Sequence, residues 1–182
     1  VRKLKEYDIG YKGLKDGNHT FDYSIDADFF ALFENSLYEN AQVEAHIDLK
    51  KDQQMMILDF DFSGSVTSVC DNCLESVEIP IDYQTKLYVK FGEVYDEPSE
   101  EIIVLPREEH ELNVAQMMYD LVVTSMPIRH LHPFDEDGNR VCDPDMVQKL
   151  SEYLVDSAPE SDEENDSDPR WDELKKLIDK HK

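Results

Sequence analysis

Three cysteines and two histidines are the residues whose types and spacing can do chemistry. Cys70 and Cys73 stand in SVTSVCDNCLES, at the CxxC spacing that puts two sulfurs from one tight turn on one tetrahedral ion. Cys142 follows far downstream, after His130 and His132 in MPIRHLHPFDEDGNRVC. Cys70, Cys73 and Cys142, with either His130 or His132, make a Cys3His donor set. Such donors favour zinc, which is thiophilic and imposes no geometry of its own against a tetrahedron. Four protein donors would close the shell and make the site a structural clasp. Buried free thiols are the alternative, since cysteine also packs as a small apolar side chain. A redox reading asks for CxxC at a helix N-terminus, whereas here an alternating strand pattern resumes directly after Cys73.

Other chemistries find little footing. No phosphate-binding glycine loop, serine elbow or HExxH motif occurs. Glu100, Glu101, Glu108, Glu109 and His110 lie in an acidic stretch that reads as a solvated face, with nothing to pin two carboxylates across a cleft. The charge is the outlier of the composition: 42 acidic residues stand against 18 basic ones, a formal net charge of -24 over 182 residues. Such a chain repels a nucleic acid backbone unless its few cations cluster, and it suits a basic partner. The opening VRKLKEYDIG has no apolar run, and no stretch approaches the roughly 20 apolar residues of a membrane span. A cytoplasmic setting is therefore expected, where thiols stay reduced and CxxC favours metal over a disulfide.

Elements must position the cysteines, and the sequence marks several. A first strand is expected within residues 3–9, pairing with one near His19–Ile25 across the turn Asp16-Gly17-Asn18. Asp26 caps a short helix carrying Phe29 and Phe30. Val43, Ala45, Ile47 and Leu49 alternate with polar residues, turn through Lys50-Lys51-Asp52-Gln53, and return along Leu58, Phe60 and Phe62. Gly64 permits a bend or bulge. Val77, Ile79 and Ile81, then Leu87, Val89 and Phe91, continue the alternation, and Pro80 favours an edge, a bulge or a break. Ile102–Leu105 is a further short strand. Asn113 with Gln116 gives a capping-box variant for the main helix, which Pro127 ends. Asp143-Pro144 opens another short helix.

The fold expected is α+β: a strongly bent antiparallel sheet or partly closed β-barrel, packed by one main helix, with short C-terminal helices. Residues 1–155 would form the domain and 156–167 an acidic flexible linker. Residues 168–182 would form an amphipathic helix presenting Arg170, Trp171, Leu174 and Leu177 for docking, on a partner or on its own domain.

CDNCLES at 70–76 resembles the CxRCLxP signature of the YceD family, also called domain of unknown function 177. MPIRH at 126–130, Cys142 and DPRWDELKKL at 168–177 add to the resemblance. Asn72 replaces the family's arginine and Ser76 its proline, which removes a positive charge and a turn constraint from this loop. Many Gram-positive members carry extra cysteines where this chain has His130, His132 and Cys142. The resemblance implies a non-enzymatic ribosome-biogenesis factor supporting accumulation of 23S ribosomal RNA. Its partner would be a large-subunit precursor, through a basic ribosomal protein or the RNA, with no membrane or DNA involved. Two alternatives stay open. One is direct RNA binding through a basic patch near Lys12, Lys15, Arg129 and Arg140. The other is a small metal-dependent enzyme, which requires an open metal position beside a carboxylate.

Overall fold

A computed structural model describes residues 3–34 and 36–153. The expected linker at 156–167 and the docking residues Arg170, Trp171, Leu174 and Leu177 lie outside these described residues. The chain divides into two compact units, Val1–Asp143 and Pro144–Lys182. The described part of the second unit is the helix α3, Pro144–Tyr153, with Pro at its first position.

The first unit is built on a six-stranded sheet. Its strands are β2 (Gly17–Ile25), β3 (Asn40–Lys51), β4 (Met55–Val69), β5 (Ser76–Gly92), β6 (Asp96–Ser99) and β7 (Ile102–Pro106). Their spatial order is β2-β3-β4-β5-β7-β6. A separate two-stranded sheet pairs β1 (Asp8–Ile9) with β8 (Leu112–Asn113). The long strands follow the alternation in the sequence. Val43, Ala45, Ile47 and Leu49 are buried with Met56, Leu58, Phe60 and Phe62, while Glu44, His46 and Asp48 are exposed. At the hairpin between β3 and β4, Asp52 Oδ1 accepts from the backbone N–H groups of Gln54 and Met55, so its carboxyl is held below the usual range.

The expected closed or curled antiparallel sheet is not what forms. The sheet is open and mixed, with β2 and β6 at its two edges, and the described residues form three α-helices instead of one main helix. After Gly92 the chain makes an excursion through β6 and returns as β7, which lies parallel to β5 from Tyr88 to Gly92. That return adds strands outward from β5 and leaves β2 without a closing partner. The expected first strand fails for a related reason. Lys3–Tyr7 is a 3-10 turn, and Asp8–Ile9 pairs with Leu112–Asn113, so β2 takes β3 alone as its partner.

Gly64 makes no bulge, because the register runs unbroken from Val43 opposite Gly64 to Gly64 opposite Ile81. It still must be glycine. Its φ is +147°, and a Cβ there would sit 2.0 Å from the Gln42 carbonyl oxygen. Pro80 is tolerated because this part of β5 pairs only with β4; β7 joins from Tyr88 onward.

Helices supply the second layer. Asp26 Oδ1 accepts from Phe29 N–H at 3.0 Å and starts α1 (Ala27–Phe30). In α2 (Ala115–Ser125), Ala115, Met118 and Val122 are buried at helical spacing. The capping box does not close: Asn113 Oδ1 accepts from Ala115 N–H, whereas Gln116 donates to Asp120. An aromatic cluster joins the helices. Phe33 stacks on Tyr119 at 4.3 Å between centroids, and Phe30 meets Tyr119 edge-on at 5.8 Å.

Candidate metal centre

The two ends of β4 and β5 meet in a six-residue turn that carries the CxxC. Cys70 N–H donates to the Glu75 carbonyl at 2.8 Å, and Leu74 N–H donates to the Cys70 carbonyl at 2.9 Å. These bonds fold residues 70–75 into a knuckle. Leu74 holds φ +64°, a left-handed conformation that a branched side chain adopts at a cost, and its side chain is exposed. Both sulfurs point inward, with Cys70 and Cys73 buried.

The segment after α2 is tied across this knuckle. Asp71 N–H donates to the His130 carbonyl at 2.8 Å, and His130 N–H donates to Asp71 Oδ2 at 2.7 Å. This reciprocal pair sets the depth of the loop that follows. His132 and Cys142 then reach the two sulfurs. The thiols of Cys70, Cys73 and Cys142 and one His132 nitrogen all lie within 4.8 Å of one another. Individual separations are 3.9 Å for Cys70 Sγ to Cys142 Sγ, 3.4 Å for Cys73 Sγ to His132 Nδ1 and 3.7 Å for Cys142 Sγ to His132 Nδ1.

The donors fit a tetrahedral ion. With Zn–S near 2.3 Å and Zn–N near 2.0 Å, a tetrahedron separates two sulfurs by about 3.8 Å and a sulfur from a nitrogen by about 3.5 Å. The second nitrogen of His132 supports the same assignment. Nε2 lies 3.1 Å from the Ser76 carbonyl, so it carries the proton and leaves Nδ1 as a lone-pair donor towards the sulfurs. These four residues can coordinate a metal ion. They leave no open protein position, which is the pattern of a structural and not a catalytic site.

His130 is placed elsewhere. Its Nδ1 lies 2.7 Å from Ser68 Oγ, and its ring lies against Tyr38 at 6.1 Å between centroids. Of the two histidines open in the sequence, His132 thus joins the three cysteines, and His130 braces the loop through its backbone and ring. Arg140 supports the same loop, donating to the His132 carbonyl at 2.8 Å and lying 4.2 Å over the Phe134 ring. Ser76 and Asp71 were not legible as parts of this site, because their contributions are a backbone carbonyl and a backbone-directed carboxylate.

The thiols differ in acidity. Burial pushes Cys70 up, but the backbone N–H groups of Cys73, Asn72 and His132 and the Cys73 thiol outweigh it and bring Cys70 down to about 6. Burial pushes Cys142 up to about 11, helped by hydrogen bonds and negative charge from Cys70 and Cys73. One thiolate is favoured here and the last thiol resists, because gathered sulfurs repel one another's charge. A cation among them removes that penalty.

The family model described as "Large ribosomal RNA subunit accumulation protein YceD" matches residues 58–178, more than half of the chain. That span contains all four candidate donors. No curated protein and no solved structure matches. Among the described residues, no helix is long and apolar enough to cross a membrane.

Proposed function

Because this chain belongs to the YceD family, we propose that it is a non-enzymatic, cytoplasmic factor in large-subunit ribosomal RNA accumulation that works by holding a basic ribosomal protein or assembly intermediate. The observation that carries this reading is the outward face of the open sheet. Asp22, Glu44, Asp48, Asp59, Asp61 and Asp82 all stand on the side opposite the core residues. Asp48 and Asp59 are direct cross-strand neighbours, a like-charge pairing that costs stability in the isolated protein. Only part of this charge is answered internally: Lys86 pairs with Asp59 at 2.8 Å, and His46 bridges Asp22 and Asp48. A cationic partner relieves the repulsion and is steered to the face from a distance.

The cysteine cluster serves this reading as a clasp. Cys70, Cys73, Cys142 and His132 would hold a structural zinc ion that fixes the loop after α2 to the rim of the sheet. Four protein donors with no open position support a structural role over a hydrolytic one. The tail residues Arg170, Trp171, Leu174 and Leu177 remain a proposed docking element.

The test has two arms. A synthetic Lys/Arg-rich peptide of a large-subunit ribosomal protein should bind the purified full chain, with affinity falling as salt rises. Asp48→Lys with Asp59→Lys should weaken it by about tenfold or more, as loss of charge complementarity predicts. In cells lacking the protein, 23S ribosomal RNA should be restored by the wild type and not by this variant. Full rescue by the variant, with unchanged peptide binding, overturns the reading.

A further inference from the structure

The cations of this acidic chain are not scattered. Arg129 and Arg140 lie with the loop at the knuckle end of β4. Lys12, Lys15, Lys50, Lys51, Lys90 and Arg107 gather at the opposite end, around the turn that joins β3 to β4. The register shows it: Lys51 stands opposite Gly17 and Met56, Lys50 opposite Ile57, and Lys90 opposite Met55, the first residue of β4. Lys51 Nζ also donates to the Leu14 carbonyl at 2.6 Å, which brings the 12–15 segment to the same end.

Alternation divides them: Lys50 and Lys90, opposite Ile57 and Met55, stand on the outward sheet face, while Lys51 joins Lys12 and Arg107 around a cavity of about 340 Å³. Tyr11 and Phe91 form its apolar wall, their ring centroids 5.6 Å apart. Lys12, Lys51, Arg107 and Gln53 supply donors, and Asp16 and Asp52 supply the opposing charge. Both carboxylates are already engaged: Asp16 faces Lys51 at 3.8 Å, and Asp52 accepts the two backbone N–H groups of its turn. Glu108 and Glu109 meet the cavity wall through backbone carbonyls, one accepting from Lys12 Nζ at 3.3 Å and the other from the Tyr11 hydroxyl at 2.7 Å. Lys12 therefore keeps two donors free. Among the described residues, nothing partners the Arg107 guanidinium. The cavity on the acidic sheet face differs in kind, being lined by Asp48, Asp59 and Asp61 with Lys86 and His46.

We propose that this end of the sheet is a phosphate-binding site for single-stranded RNA, in which Arg107 and Lys12 clamp one phosphodiester and Lys15 meets its neighbour. The planar guanidinium matches two phosphate oxygens at once, and the ammonium adds a point charge. Lys15, on the same segment as Lys12 but outside the cavity, favours a second phosphate beside the first over a single ion. The choice of RNA rests on the ribosomal RNA reading above; the anion site itself rests on the cavity.

The experiment uses the full chain and a fluorescein-labelled 12-nucleotide RNA, followed by polarisation at low and moderate salt. Arg107→Gln with Lys12→Gln should weaken binding by about tenfold at low salt and flatten the logarithmic salt dependence by about 1.4, the value for two lost contacts on a single strand. Arg129→Gln, at the far end, should bind like the wild type. In amide NMR spectra, inorganic phosphate should shift the Lys12 and Arg107 signals in the wild type alone. Equal RNA affinity of wild type and double variant overturns the site, and displacement of RNA by polyglutamate as readily as by unlabelled RNA overturns its assignment to RNA. The cationic-peptide assay on the same variants separates the two ideas: intact peptide binding with no RNA binding removes this inference and leaves the protein-partner reading standing.

Discussion

His132 Nδ1 lies 3.4 Å from Cys73 Sγ, although 59 residues separate the two in the chain. The histidine reaches the sulfur because the reciprocal hydrogen bonds between Asp71 and His130 fix the loop two residues earlier, and because the Ser76 carbonyl holds the other side of the ring. Three elements therefore converge on one point: the end of β4, the start of β5 and the segment after α2.

The two histidines should separate cleanly on metal analysis. Freshly purified protein should hold close to one zinc per chain. His132→Ala and Cys73→Ala should each lower zinc affinity by more than the 10- to 100-fold typical of losing an outer-shell partner, on the order of 1000-fold. His130→Ala should keep the metal and lose stability only modestly. Equal zinc retention by His132→Ala and the wild type would contradict the site as assigned.

Chelation should loosen the clasp without dissolving the sheet. Removing the metal withdraws a ligand that binds the folded form more tightly than the unfolded one, so the thermal midpoint should fall with the logarithm of the free zinc concentration. Amide exchange should then quicken at residues 70–76 and 130–142 and stay slow in β3 and β4. Uniform acceleration across both strands would count against a local clasp.

Leu74→Gly should stabilise the protein. Leu74 holds φ +64° with an exposed side chain, so glycine relieves the left-handed strain and forfeits little burial. After the added freedom of the unfolded chain is subtracted, the gain is about 0.5–1 kcal/mol. Urea titration checks this, and a clear loss of stability would show that the leucine packs in a way its exposure does not reveal.

Gly64→Ala should destabilise by about 2 kcal/mol or more, since overpacking adds to backbone strain. The added carbon meets the Gln42 carbonyl at 2.0 Å and Val43 Cα at 2.7 Å, both of them backbone atoms of the neighbouring strand. Gly138→Ala serves as the control, with φ +82° and open space around it; its cost should be nearer 1 kcal/mol. Equal costs at the two positions would remove the steric explanation.

His46 should titrate above its ordinary value of 6.5, because the hydrogen bond to Asp22 favours the imidazolium and the charges of Asp22 and Asp48 add to it. A raised folded pKa means stability that is fully present below the unfolded value and lost as pH rises through the folded one. Proton NMR of the ring should place the midpoint above 6.5 and move it down in Asp22→Asn. A midpoint that ignores the substitution would show that the pair does not form in solution.

Much of the architecture was legible because it is local. Alternation placed Val43 to Leu49 and Leu58 to Phe62 on one buried face, and Asp26 announced α1 three residues before its bond to Phe29. The CxxC spacing announced the knuckle, and thiophilic chemistry named the candidate donors. What alternation does not carry is the order of strands in space. Val89 and Ile103 have the same pattern whether their strands run parallel or antiparallel, so the parallel β5–β7 pairing and the open edge at β2 were invisible, and a closing sheet was expected instead. The choice between His130 and His132 was equally beyond the chain alone. In extended backbone His130 and His132 share a side, so alternation cannot choose between them; the Asp71 anchor on His130 leaves the ring of His132 at the sulfurs. The gathering of Lys12, Lys51 and Arg107 belongs to the same class. Residues nearly a hundred positions apart become neighbours when hairpin ends and strand register are set, and that is decided by packing of the whole sheet.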